Sequence, residues 1–395
     1  MEKLKGILDF CKYKTRIYCF GAGRFGRELS VYLKERNILL TAFLTSEDVK
    51  DGREILGVPL MNIKKTRIRR SDGVILATSK RFATEMKEIL EELGISDFYY
   101  VDENYLYDIE NHACFNFIFK NNQYINVLFY HRIIDSSRDD WNICVSIKNF
   151  EAHMKWIKEN YRIVRFGDDW SNISEPSVVI TFDDGYADNY WNALPILKKY
   201  NIPATFFISS ACTHEEDVFW WDKLSEIAEK DKNIDLIYEH TKLKTMKYDK
   251  RKLYLNAMYG NRVNSYLFNR GLNGDELKRL ADDPLVEIGA HTVTHESLKL
   301  LGESQQKDEI LTSKAELEAL LERKIDLFSY PYGDYNEFTV RILKESGFLK
   351  AATVSGGLAG TGNPFLIPRN AVRNWDIVKF SRMMKMFFCI YADVK

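Results

Sequence analysis

From residue 124 onward, short apolar runs keep alternating with helical patterns: INVLFYH, SIKNFEAHMKWIKENY, RIVRF, SVVITFDDG, a helix over NALPILKKY, then ATFFISS. After an expected irregular insertion at about 211–273, the alternation resumes with LVEIGAHTVTH, the helix DEILTSKAELEALLERK, DLFSYPYG, a helix through RILKESG, LKAATV and PFLIPRNAV. Apolar strand-like runs that return after each helix must be covered on both faces. The spacing therefore predicts a parallel (β/α) barrel or an open α/β sheet over residues 124–395.

Residues 15–102 alternate in the same way: TRIYCF, the helical RELSVYLKERN, LLTAFLT, DGVILAT, a helix over FATEMKEILEELG, and DFYYVD. This predicts a separate α/β half of Rossmann type over residues 1–108. Residues 109–123, rich in Asn and poor in apolar runs, read as the linker. The first turn is Gly21-Ala-Gly23-Arg-Phe-Gly26, placed after a strand and opening a helix, where glycines let the backbone approach a pyrophosphate. The acidic residue expected at the end of the second strand is absent, since Thr45-Ser46 stands there and Glu47 and Asp48 come late. Nucleotide binding and simple helix-on-sheet packing both remain open for these glycines. The half resembles the small Rossmann-like modules found at the start of some sugar-modifying enzymes.

Lys plus Arg (56) and Asp plus Glu (57) leave a net charge of −1, so no global field favours nucleic acid or an anionic membrane. The N-terminus has no apolar stretch suited to a signal peptide or a transmembrane helix, and six scattered cysteines suit a reducing compartment. A cytoplasmic protein is the expectation. The basic run KKTRIRR reads as a solvated connection, and the apolar, basic tail WDIVKFSRMMKMFFCIYADVK as a docked helix, with a membrane-surface helix as the alternative.

In parallel α/β folds chemistry gathers at the carboxyl ends of the strands. Those ends carry His131, the pair Asp183-Asp184, His291 and His295, and Tyr330-Pro331-Tyr332-Gly333. Two imidazoles four residues apart can reach one cation if a turn begins there, although two unrelated histidines would give the same spacing. Two histidines and one carboxylate make a three-ligand set with a position left for water, the arrangement of a catalytic zinc site. One aspartate can then ligate the cation while its neighbour accepts a proton from the water, whose pKa falls from about 15.7 toward about 7. Taken alone, Asp-Asp-Gly is equally a plain turn.

Residues 125 to about 375 resemble the polysaccharide deacetylase family (carbohydrate esterase family 4, the NodB-homology domain), whose fold is a distorted, partly open (β/α) barrel. The matching pieces are Thr181-Phe182-Asp183-Asp184-Gly185, His291-Thr292 with His295, and Tyr330-Pro331-Tyr332-Gly333, in family order. The resemblance implies that Asp183 is the general base, that Asp184, His291 and His295 hold a divalent metal, usually zinc, and that the backbone N–H of Tyr332 helps hold an oxyanion. The implied reaction removes an N-acetyl, less often an O-acetyl, group from a sugar.

Two departures stand out. Ser329 occupies the place where many members carry an arginine that orients the base, and no histidine follows His295 to act as general acid. His131 is the candidate acid, with loop positioning as its other reading. Arg369, in Pro368-Arg369-Asn370, is the candidate replacement for the arginine, with a structural ion pair as its other reading. Phe219-Trp220-Trp221-Asp222, in the insertion, could stack on a sugar but more simply packs the insertion onto the barrel. The expected function is a metal-dependent sugar deacetylase acting on an intracellular glycan precursor, nucleotide-linked or lipid-linked. The alternatives are a catalytically impaired sugar- or nucleotide-binding protein working through the glycine turn, and an oxidoreductase resting on that turn alone.

Overall fold

The computed structural model describes residues 2–50, 52–112, 124–213, 219–259, 270–360 and 362–391. The chain divides into two compact units, Met1–Asn121 with Val378–Lys395, and Asn122–Ile377.

In the first unit the apolar runs form β1 (Ile17–Phe20), β2 (Ala42–Thr45), a short β3 (Glu54–Ile55) with β4 (Val58–Asn62), β5 (Gly73–Ala77) and β6 (Phe98–Val101). Their order is β3-β4-β2-β1-β5-β6, parallel except for the β3/β4 hairpin, which the sequence reading did not contain. The strand order reverses between β1 and β5, as in doubly wound folds. Tyr18, Phe20, Leu44, Val74, Leu76 and Leu90 form the core on one face. Gly21 has φ +116°, and a Cβ there would lie 2.3 Å from the Ala77 carbonyl oxygen. A Cβ on Gly26 would lie 1.9 Å from the Gly21 carbonyl oxygen, whereas one on Gly23 would meet nothing. Close packing therefore demands the first and third glycines but not the second.

Three boundaries differ from the sequence reading. Residues 109–112 lie in the helix Glu103–His112 rather than in a linker, while 113–123 fall outside the described residues. From Val378 the tail belongs to the first unit, not to the barrel: in the helix Ile377–Tyr391, Phe380, Met383, Met384, Phe387 and Phe388 are buried, and Arg27 Nη1 donates to the Ile390 carbonyl at 3.4 Å. Its regular burial of apolar side chains is that of a docked helix rather than a membrane-surface one. The insertion is helical among its described residues, with Trp220–Lys230, Leu236–Lys244 and Tyr248–Tyr259 packed around Leu224, Ile227, Leu243 and Leu255.

The second unit is a curled parallel sheet. Its strands are β7 (Ile125–Tyr130), the short pair β8 (Arg132–Ile133) and β9 (Cys144–Val145), β10 (Arg162–Ile163), β11 (Ser177–Phe182), β12 (Ala204–Ile208), β13 (Val286–Ala290), β14 (Leu327–Ser329), β15 (Lys350–Ala352) and β16 (Asn370–Ala371). The main sheet runs β15-β14-β13-β12-β11-β7-β16, with β10 on the early half of β11. Every residue of β7, β11 and β12 is buried, because both faces are covered. Ile367 bridges to Ala352 at one edge, and Asn370-Ala371 pairs with β7 at the other, so one short segment draws the two edges toward each other. This is the distorted (β/α) barrel expected from the sequence, and it aims the carboxyl ends of β7, β11, β13 and β14 at a common mouth.

Candidate active site

Hydrogen bonding ends β11 and hands over to a strained turn. Asp183 N–H donates to the Tyr130 carbonyl at 3.0 Å, and Asp184 then takes φ +74° before Gly185 at +90°. After β13, Thr292 and His295 have φ of +64° and +56°; after β14, Tyr332 has +58°. These four sit together at the strand ends, and left-handed backbone costs a non-glycine residue about 1–2 kcal/mol. Such strain persists only where surrounding contacts over-determine it, which is common at functional sites.

The turns bring Asp184, His291 and His295 together, all buried, with one ligand atom from each lying within 4.8 Å of the others. Asp184 Oδ1 is 3.5 Å from His291 Nε2 and 3.2 Å from His295 Nε2, yet it has no hydrogen-bond partner among the described residues. A buried carboxylate oxygen facing two imidazole nitrogens without a bonded proton suits a shared cation. His291 Nδ1 lies 2.8 Å from the Ser329 carbonyl, so it carries the proton and leaves Nε2 with its lone pair toward Asp184. Burial alone would raise the Asp184 pKa, but the contacts from His291 and His295 outweigh it and hold the group well below the ordinary carboxylate range. Burial lowers the His295 pKa against the pull of Asp184, favouring the neutral form that a metal requires. The donor set fits a divalent metal.

Asp183 faces elsewhere. Its two oxygens accept from Arg369 Nη1 at 2.8 Å and Nη2 at 2.6 Å, and Arg369 is fully buried. Arg369 also donates to Thr181 Oγ1, Ser329 Oγ and the Thr353 carbonyl, so its fork is fixed in one orientation. Burial pushes the Asp183 pKa up, but the Arg369 charge prevails and the carboxyl stays ionised below its usual value. The small Ser329 side chain leaves the space that the guanidinium fills.

His131 ends β7, half-buried, its ring centroid 5.6 Å from that of Phe129. Burial lowers its pKa, with Asp184 and Asp183 pulling the other way. Its backbone is pinned: Asn189 Nδ2 donates to the His131 carbonyl at 2.8 Å, and Asp188, which accepts from Arg132 Nε at 3.0 Å, also accepts from the Ile133 N–H. Tyr332 packs its ring edge-on to His295 at 4.5 Å. The opposite neighbour of His295 is Trp221 of the insertion, at 4.8 Å, whose Nε1 donates to Tyr186 Oη, which in turn donates to Asp222. The aromatic cluster thus packs the insertion onto the barrel, and Phe219, Trp220 and Arg251 also line a cavity beside His295. Arg132 and Asp188 were not singled out in the sequence as site neighbours, whereas Trp221 was, within Phe219-Trp220-Trp221-Asp222.

The arrangement defines a class: a parallel (β/α) half-barrel with a buried two-histidine, one-carboxylate cluster at its strand ends and an arginine-held aspartate beside it. The polysaccharide deacetylase family model matches residues 171–351 of this chain. The Bacillus subtilis (strain 168) protein YxkH, assigned to the polysaccharide deacetylases by name only, is 27% identical over 241 residues, 59% of this chain and 65% of YxkH. The poly-beta-1,6-N-acetyl-D-glucosamine N-deacetylase of Staphylococcus aureus (strain MSSA476) is 36% identical over 97 residues, 23% of this chain and 33% of that enzyme. The chain therefore spans less than two thirds of the length of either relative. Among solved structures, the Streptococcus pyogenes deacetylase PplD in complex with acetate is 20% identical with a TM-score of 0.49, covering 66% of this chain and 98% of that one. IcaB from Ammonifex degensii is 20% identical with a TM-score of 0.48, covering 69% and 98%. No helix among the described residues is long and apolar enough to cross a membrane.

Proposed function

We propose that the second unit is a metal-dependent deacetylase that hydrolyses an N-acetyl, or less readily an O-acetyl, group on a sugar. The observation that carries this is the partnerless Asp184 Oδ1 between two imidazoles, one residue from an aspartate gripped by a buried arginine. Asp184, His291 and His295 would hold the divalent metal, zinc being the best match to the donor set. When bound, the metal supplies a water of lowered pKa and a positive charge for the acetyl oxygen.

The remaining chemistry belongs to the chain. Asp183, kept ionised and oriented by Arg369, takes the proton of the attacking water as the new C–O bond forms. The backbone N–H of Tyr332 donates to the oxygen on which negative charge develops, an interaction stronger in the transition state than in the ground state. His131 gives its proton to the nitrogen as the C–N bond breaks, releasing acetate and a free amine. Arg369 beside Asp183 also weakens the non-catalytic alternative, which rested partly on Ser329 standing where an arginine is usual.

The Staphylococcus aureus relative is named for poly-beta-1,6-N-acetyl-D-glucosamine, which favours an N-acetylhexosamine as the substrate sugar. The Rossmann-type strand order and the open Gly23 favour a nucleotide at the first unit, and with it a cytoplasmic, nucleotide-linked or lipid-linked precursor rather than mature polymer. Acetate release by zinc-loaded protein from a panel of nucleotide-linked, lipid-linked, free and polymeric N-acetylhexosamines tests both parts. Release from nucleotide- or lipid-linked sugars supports both; release from polymer alone removes the precursor; none from any sugar removes the deacetylase.

A further inference from the structure

The turn between the two histidines is held by a side chain with no place in the reaction described above. Glu309, on the helix Glu303–Leu321, accepts from Val293 N–H at 2.9 Å and Thr294 N–H at 3.0 Å through Oε2. Its Oε1 accepts from Thr294 Oγ1 at 2.7 Å. One carboxylate thus takes three hydrogen bonds from two consecutive residues, both lying between His291 and His295.

The other side of the turn is tied to the barrel. Ser210 N–H donates to the Thr292 carbonyl at 3.1 Å, Ala211 N–H to the Val293 carbonyl at 3.0 Å, and Ser209 Oγ to the His291 carbonyl at 3.1 Å. Those bonds fix the carbonyls; among the described residues, Glu309 alone gathers the Val293 and Thr294 amides. The gathered amides are flanked by the left-handed residues Thr292 and His295. Two such residues store backbone strain, which relaxes unless opposing contacts hold it. Charge-assisted hydrogen bonds to a carboxylate are about twice as strong as neutral ones, enough to oppose it. Relaxation at His295 would swing its imidazole away from Asp184, since its ring is held by Trp221 and Tyr332 packing and its Nδ1 has no hydrogen-bond partner among the described residues.

We propose that Glu309 is a positioning residue for the metal centre: its carboxylate holds the His291–His295 turn in the conformation that points both imidazoles at Asp184. The inference rests on the metal reading above. It is tested by the zinc affinity of the full-length apoprotein, measured by competition with a chromophoric chelator, alongside thermal melting of the apo form. The expected result is zinc binding about 10–100-fold weaker in Glu309→Ala, a smaller loss in Glu309→Gln, which keeps one acceptor oxygen, and wild-type affinity in Asp308→Ala. Activity of both Glu309 variants returns toward the wild-type level as zinc is raised to saturation. Glu309→Gln carries the test should the alanine variant not fold. Wild-type zinc affinity in a folded Glu309 variant, even with a lowered apo melting temperature, overturns the proposal, because a merely structural role predicts that pattern. A wild-type protein that takes up no divalent metal overturns the metal reading and this inference with it.

Discussion

Arg369 and Asp183 form a bidentate ion pair at 2.8 and 2.6 Å, 186 residues apart in the chain, with 0% and 4% of their side chains exposed. Removing one member of such a pair strands the other charge. Arg369→Met is expected to destabilise the protein by about 3–5 kcal/mol in urea unfolding, with Arg369→Lys in between. Without the arginine, burial dominates at Asp183, so its pKa rises and the acidic limb of the pH–rate profile moves to higher pH. A stable Arg369→Met protein with an unmoved acidic limb would contradict the pairing.

His131 is assigned to the leaving group, and leaving groups differ in their need for a proton. An amine must be protonated to depart; p-nitrophenolate need not be. His131→Gln should lower deacetylation of an N-acetyl sugar by about 10²–10⁴-fold while hydrolysis of p-nitrophenyl acetate stays within a few-fold of wild type. Equal losses on both substrates would assign His131 to loop positioning instead.

These residues show what the sequence carries. Asp184, His291 and His295 are legible because each ends an apolar strand, and parallel sheets gather strand ends. Arg369 is less legible, since Pro-Arg-Asn inside the short run PFLIPRNAV looks the same whether the arginine reaches Asp183 or solvent; only the curl of the sheet decides. Glu309 cannot be separated from Glu316, seven residues on along the same helix face, without the turn it caps. The insertion reads as irregular because its helices pack on one another, so Ile237 and Leu253 remain exposed and blur the helical period.

His153 supplies a stability test. It is buried, with Nε2 2.8 Å from the Trp375 carbonyl, and burial lowers its pKa to about 4 against the weaker pull of that carbonyl and Asp376. A depressed folded-state pKa means the neutral form stabilises the fold. The contribution, about 3 kcal/mol, is complete above the unfolded-state value of about 6.5 and lost as pH falls from there through about 4. His153→Phe should flatten that part of the stability–pH curve; an unchanged slope would remove His153 as its source.

The first unit offers a test that separates packing from binding. Gly26→Ala places a Cβ against the Gly21 carbonyl and should destabilise the protein by about 1–3 kcal/mol. Gly23→Ala meets no atom and should leave stability within about 0.5 kcal/mol of wild type. If the backbone at Gly23 approaches a phosphate, the same substitution abolishes the calorimetric signal for nucleotide binding. Undiminished nucleotide affinity in Gly23→Ala, or none in the wild type, would leave these glycines a packing role alone.

The most direct measurement combines bound zinc and released acetate in one preparation of wild-type and Asp183→Asn protein. The expected result is one equivalent of zinc in both, with acetate freed from an N-acetylated sugar by the wild type alone. Acetate release by Asp183→Asn at the wild-type rate, or a wild-type protein that deacetylates with no metal bound, would contradict the account.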